Sequence, residues 1–81
     1  MKATIYTTPS CPYCKMAKDY LNRKNVDVEE KDISKDKNAR DEAIAKSGRM
    51  GVPVIIIGEQ VIVGFDMDQI DFALKKLSDY N

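Results

Sequence analysis

Apolar and polar positions change their period several times along the chain, and each change marks an element. Ala3, Ile5 and Thr7 alternate with Thr4 and Tyr6, so the stretch from Lys2 to Thr7 has the period-two, β-branched and aromatic character of a strand. Pro9 and Ser10 end it in a loop. Beyond Pro12 the period lengthens: Met16, Ala17, Tyr20 and Leu21 recur at helical spacing and predict a helix from Pro12 to about Lys24 with one buried face. Asn25 is its stop signal, and Val26 and Val28 then alternate with charged neighbours through about Lys31 as a second, short strand. Strand, helix and strand in about thirty residues predict a right-handed crossover joining a parallel pair.

Ser34 is placed to cap a second helix from Lys35 to Ser47, with Ala39, Ala43 and Ile44 turned inward and Gly48 as the C-terminal cap. Arg40 lies on that helix among Asp36, Asp41 and Glu42, where the plain reading is a surface ion pair. Val52 and Val54 to Ile57 form the strongest apolar run, and a run without alternation predicts a central strand covered on both faces. Gly58 and Glu59 turn it back into Val61, Ile62 and Val63 as an antiparallel hairpin. Asp66 followed by Gln69 resembles a capping box, with Met67, Ile70, Leu74 and Leu77 as the buried face of a last helix and Ser78 to Asn81 as a frayed end. Pro53 is tolerated only at an edge or at the first residue of its strand. Were the Val52–Pro53 bond cis, Val52 would offer its backbone N–H and C=O to an extended thiol substrate, as a neighbouring strand would. The residues alone leave the isomer open.

At 81 residues, the chain is expected to form a single domain over 1–81, able to bury only roughly 60 % of the surface of the unfolded chain. Hydrophobic residues at 43 % and charged residues at 32 % exclude a disordered chain. Thirteen basic and thirteen acidic side chains cancel, so no net field recruits nucleic acid or an anionic membrane, and neither is expected as a partner. No apolar run approaches the roughly 20 residues needed to span a bilayer, and the N-terminus lacks a signal-peptide pattern, so a cytoplasmic location is expected.

Candidate chemistry is confined to Cys11-Pro12-Tyr13-Cys14, the only cysteines present. In a reducing compartment a lone Cys-x-x-Cys reads as a thiol–disulfide redox site rather than a staple, and a disulfide closing so short a loop would constrain the unfolded chain little. With the helix starting at Pro12, Cys11 is its N-cap, facing free backbone N–H groups at the positive end of the helix dipole, an environment that favours thiolate. Cys11 is therefore the expected nucleophile. Cys14, in the first turn, is near enough to attack a mixed disulfide on Cys11 and release the reduced substrate. Lys15 and Lys18 add positive charge nearby. The absence of histidine removes Ser-His and Cys-His catalysis and most zinc designs, and two thiolates are half a zinc site, so no metal is expected.

The order strand, Cys-Pro-Tyr-Cys, helix, strand, helix, Val-Pro strand, hairpin, Gly-x-Asp, helix resembles the glutaredoxin family over nearly the whole chain. Cys11-Pro12-Tyr13-Cys14 is similar to the dithiol glutaredoxin tetrapeptide, Lys46-Ser47-Gly48-Arg49 to the segment before the family's cis-proline, and Gly64 and Asp66 to its Gly-Gly-x-Asp turn. The resemblance implies an α/β thioredoxin fold, a mixed four-stranded sheet with about three flanking helices, and a cis Val52–Pro53 bond. It also implies glutathione as co-substrate with no tightly bound cofactor. Tyr13 would flank the tripeptide, Val52 beside Pro53 would pair with its cysteinyl backbone, and Asp66, in the turn with Gly64 and Phe65, would take its γ-glutamyl ammonium. Arg40 would help hold the glycine carboxylate. Three positions depart from the family pattern: Thr8 replaces a frequent lysine, Gly51 the threonine before Val-Pro, and Val63 the first glycine of the double-glycine turn.

The expected function is a glutathione-dependent dithiol oxidoreductase, a monomer acting on disulfide-containing or glutathionylated proteins. Val63-Gly64-Phe65-Asp66 also resembles the Ser-Gly-Phe turn of small glutaredoxin-like proteins that are reduced by thioredoxin reductase and supply ribonucleotide reductase. A third reading is an iron–sulfur cluster held between two subunits through Cys11 and glutathione, although the ring of Pro12 should crowd a bridging cluster.

Overall fold

The computed structural model describes residues 2–48 and 51–79. Its elements follow in the order β1 (Lys2–Thr7), α1 (Pro12–Arg23), β2 (Asp27–Asp32), α2 (Lys37–Ser47), β3 (Val54–Ile57), β4 (Gln60–Val63) and α3 (Met67–Asp79). The four strands form one mixed sheet in the order β2-β1-β3-β4. β1 runs parallel to β2, with Ile5 opposite Glu30 and Thr7 opposite Asp32. It runs antiparallel to β3, with Ile5 opposite Ile55, and β3 pairs antiparallel with β4. The expected thioredoxin-like α/β architecture, a mixed four-stranded sheet with three helices, is what forms.

Alternation along the strands splits the apolar residues between two faces. Ala3, Ile5, Ile55, Ile57 and Ile62 meet Ala17 and Leu21 of α1 and Ile70, Ala73 and Leu74 of α3. On the other face Tyr6 and Val54 meet Ala39 and Ala43 of α2. The central strand β3 is thus covered on both sides, which is why its sequence shows no polar alternation.

Several boundaries and faces differ from the sequence reading. α2 begins at Lys37 and is capped by Asp36, whose carboxylate accepts the Ala39 N–H at 3.1 Å. Ser34 instead closes a turn on Asp32, donating its N–H at 2.8 Å and its hydroxyl at 2.5 Å to Asp32 Oδ1. Asp36 wins because its side chain stands at the distance from the first turn that a cap requires. Gly48 ends α2 as expected, at φ 79°. Met16 and Met67 are 48 % and 51 % exposed, and Cys14 and Ala73 take inward positions instead. Asn25 follows α1 with φ 61°, a conformation asparagine tolerates. Val52 lies outside β3, which begins after Pro53. α3 extends through Asp79, so Ser78 and Asp79 are helical rather than frayed; Arg49, Tyr80 and Asn81 lie outside the described residues. Among the described residues no helix is long and apolar enough to cross a membrane.

Candidate active site

The loop after β1 brings Cys11 to the N-terminus of α1. Cys11 has extended backbone angles, φ −94° and ψ 108°, and its N–H donates to the Thr8 carbonyl at 3.2 Å. Its sulfur accepts the Cys14 N–H at 3.2 Å, so the thiol itself caps the helix. Pro12 at the first helical position has no N–H to leave unpaired, and no acidic residue occupies the first turn.

Cys14 differs sharply in environment. Both cysteines are free thiols, but Cys11 is partly exposed while Cys14 is buried, at 2 % exposure. Burial pushes the Cys14 thiol up to about 12. The hydrogen bond to the Cys11 sulfur and the electrostatic influence of Cys11 and Glu30 act in the same direction, and a backbone hydrogen bond from Thr8 acts against them. One accessible sulfur at a helix N-terminus, backed by a buried protonated one, is an arrangement suited to attack by the first and resolution by the second.

A cavity of about 370 Å³ opens beside the two sulfurs, lined by Thr7, Thr8, Pro9, Cys11, Cys14, Lys15, Lys18, Glu30 and Asp32. It lies on the β2 side of β1. Glu30, 43 % exposed, accepts from the Lys18 ammonium at 3.3 Å and from the Thr7 hydroxyl at 3.4 Å. The sequence reading passed over Glu30, although strand alternation places it on the same face as Val28 and so toward α1.

The remaining candidates lie on the opposite side of β1. The Val52–Pro53 bond is cis. The Pro53 carbonyl accepts the Gly64 N–H at 2.8 Å, which ties the segment before β3 to the turn after β4. Gly64 holds φ 86°, a left-handed conformation that favours glycine. Phe65 stacks edge-on against Tyr20, ring centres 5.9 Å apart, and the Tyr20 hydroxyl donates to Asp71 at 2.6 Å. Asp66 caps α3, accepting the Gln69 N–H at 3.2 Å and the Gln69 side-chain amide at 2.9 Å. That amide bonds the carboxylate, so the contact differs from the reciprocal box the sequence suggested. Tyr13 is 60 % exposed beside Cys11. Arg40 is exposed on α2, on the sheet face away from α1 and α3, and makes no ion pair among the described residues, so the expected surface pair does not form. A second cavity, about 330 Å³, lies between α1 and α3 where Met16, Tyr20, Phe65 and Met67 meet Asp19 and Arg23.

Residues 3–62 match the family model described as glutaredoxin. Over 72 residues the chain is 43 % identical to an uncharacterized glutaredoxin-like 8.6 kDa protein in the rubredoxin operon of Clostridium pasteurianum, covering 89 % of this chain and 96 % of that protein. It is 45 % identical over 62 residues to glutaredoxin 3 of Escherichia coli K12, covering 76 % and 75 % respectively. Among solved structures it is similar to the glutaredoxin-like protein NrdH-redoxin of Escherichia coli, with TM-score 0.77, 30 % identity and coverage of 89 % of this chain and 93 % of that one.

Proposed function

The chain belongs to the glutaredoxin family of thiol–disulfide oxidoreductases, and from that premise we propose that it reduces protein disulfides and glutathione mixed disulfides with glutathione as its electron source. The observation that carries the chemistry is the contrast between the two sulfurs: Cys11 accessible at the helix N-terminus, Cys14 buried and protonated. Cys11 attacks the disulfide and one partner leaves as a thiol. For a protein disulfide, Cys14 resolves the mixed disulfide; for a glutathione adduct, a second glutathione does. The Cys11–Cys14 disulfide left by the first route is reduced by two glutathione molecules, which leave as glutathione disulfide.

Support for glutathione comes from the layout around Cys11. Exposed Tyr13 stands on one side, and Val52 and Pro53 are joined through Gly64 to the Phe65-Asp66 turn. In this reading Val52 pairs with the cysteinyl backbone of the tripeptide. The N-terminus of α3 takes its γ-glutamyl carboxylate, and the Asp66 carboxylate, which keeps free lone pairs beside its bonds to Gln69, takes the ammonium. Arg40, without an ion-pair partner among the described residues, is available for the glycine carboxylate.

The test is turnover of a small glutathione mixed disulfide coupled to NADPH through glutathione reductase, for the intact protein and for Cys14→Ser. The variant should keep its activity on this substrate and lose it on protein disulfides. A second reading takes electrons from thioredoxin reductase. Thr8, Val63 and Phe65 favour it, as does the structural likeness to NrdH-redoxin, whose structure is described as the basis of a thioredoxin-like activity profile. No turnover by either protein with glutathione, together with reduction by thioredoxin reductase and NADPH, would establish that reading instead.

A further inference from the structure

Resolution requires the Cys14 proton to leave a thiol that burial and its neighbours hold on firmly. Among the residues lining the cavity beside Cys14, few can receive it. Lys15 and Lys18 carry ammonium groups, which donate and do not accept, the chain has no histidine, and Cys11 is blocked once its sulfur is in the mixed disulfide. Two carboxylates remain, Glu30 and Asp32. Asp32 is committed to Ser34, accepting its N–H and its hydroxyl. Glu30 faces the cavity from β2, fixed by Lys18 from α1 and by the Thr7 hydroxyl from β1.

We propose that Glu30 is the proton acceptor for Cys14 in the resolution step, held in place by Lys18 and Thr7 and reached across the cavity through water. This rests on Cys11 as the attacking and Cys14 as the resolving thiol. The Cys14 S–H gives its proton to the Glu30 carboxylate, and the Cys14 sulfur attacks the Cys11 sulfur. The Cys11–Cys14 bond forms as the bond between Cys11 and the substrate sulfur breaks. The substrate leaves as a thiolate and is protonated by solvent, so two electrons pass from the cysteine pair to it.

The electrostatics make the transfer self-consistent. A Cys14 thiolate and a Glu30 carboxylate repel one another, which is one reason the resting thiol stays protonated. Moving the proton from one to the other leaves a single negative charge in the cavity, facing the Lys18 and Lys15 ammonium groups of α1. Formation of the mixed disulfide also removes the Cys11 contributions that held the proton on Cys14, so transfer becomes easier at the moment it is needed. Asp32 on β2 is the remaining charge at the cavity wall. Glu30 does not touch the substrate; its role is to take the proton whose departure makes the Cys14 sulfur nucleophilic.

The test uses the reduced protein mixed rapidly with one equivalent of dithiobis(nitrobenzoate). Attack by Cys11 releases one thionitrobenzoate, and resolution by Cys14 releases the second; Cys14→Ser, which should give only the first, identifies the two phases. In the wild-type protein the second phase should be nearly independent of pH between about 6 and 8, because the proton acceptor is supplied by the protein and not by hydroxide. In Glu30→Gln it should slow by about tenfold or more relative to the first phase and rise with pH as hydroxide takes over; Glu30→Asp should recover part of the rate. A second phase in Glu30→Gln that is unchanged, or faster because a repelling charge has gone, overturns the proposal. No second phase in the wild type would overturn the role of Cys14 itself. Glutathione is absent from the experiment, so the choice of electron source does not affect its outcome.

Discussion

At the scale of single residues, the function depends on giving two cysteines three positions apart different environments. The cap position exposes Cys11, and the first turn buries Cys14 on the side of α1 that also carries Ala17 and Leu21. Because the Cys14 thiol is pushed up to about 12, it stays neutral across the physiological range. Iodoacetamide at pH 8 should therefore modify Cys11 alone, with mass spectrometry of the digested protein finding the Cys14 peptide unlabelled. Equal labelling of both peptides would contradict the assigned burial. The shift also has a sign for stability: an unfolded cysteine loses its proton near pH 8.5, so between there and about 12 the folded state holds a proton that the unfolded state has lost. The contribution is full below that window, and the reduced protein should lose stability as pH rises through it. Cys11 was readable as the cap because Pro12 marks the first helical residue. The helical spacing draws the inward side of α1 through Met16, but Met16 stands about 100° around the helix from Ala17, and the structure turns Cys14 inward instead. Alternation puts Glu30 on the face of Val28, but its nearness to the cysteine loop depends on which residue of β1 it lies opposite, and that register is a property of the folded sheet.

At the scale of elements, helix ends carry much of the local specification. Asp36 and Asp66 cap α2 and α3, Cys11 caps α1, and Gly48 closes α2 in the left-handed region. Ser34 and Asp36 lie two residues apart and both suit a cap, so the sequence could place α2 but could not choose between two starts. The structure chooses Asp36, and Ser34 belongs to the turn on Asp32. Asp36→Ala should consequently lower the unfolding free energy by about 1 kcal/mol, the usual worth of such a cap, while Ser34→Ala, on an exposed turn, should cost less. Urea unfolding of the two variants measures the difference, and the reverse order would return the cap to Ser34. The Asp66 cap carries the same physics into the candidate glutathione site: the carboxylate that closes α3 is also the one proposed to meet the ammonium of the ligand.

At the scale of the whole molecule, the sheet was the most legible feature. The strand-helix-strand pattern implied the parallel β1–β2 pair, and the unbroken apolar run of Val54 to Ile57 implied a strand covered on both sides. What periodicity could not supply was the position of each element along the sheet, which is why Met67 lies on a plausible side of α3 but at its first residue, facing the cavity it shares with Met16. The placement of the helices has an energetic consequence. A chain of 81 residues has a net stability of about 4–12 kcal/mol at ~0.05–0.15 kcal/mol per residue, so one large core side chain is a sizeable share. Ile70 is fully buried against the sheet, and its N–H donates to the Asp66 carbonyl at 3.0 Å, so the residue anchors the end of α3 that carries the cap. Ile70→Ala removes that packing and leaves a cavity, and should cost about 2–5 kcal/mol. Phe72 is on the same helix but faces solvent, and Phe72→Ala should change stability by no more than about 0.5 kcal/mol. Thermal unfolding of the reduced variants separates the two. Similar losses would mean that α3 does not pack by its Ile70 face, and the turn bearing Gly64, Phe65 and Asp66 would then lose its fixed place beside Pro53.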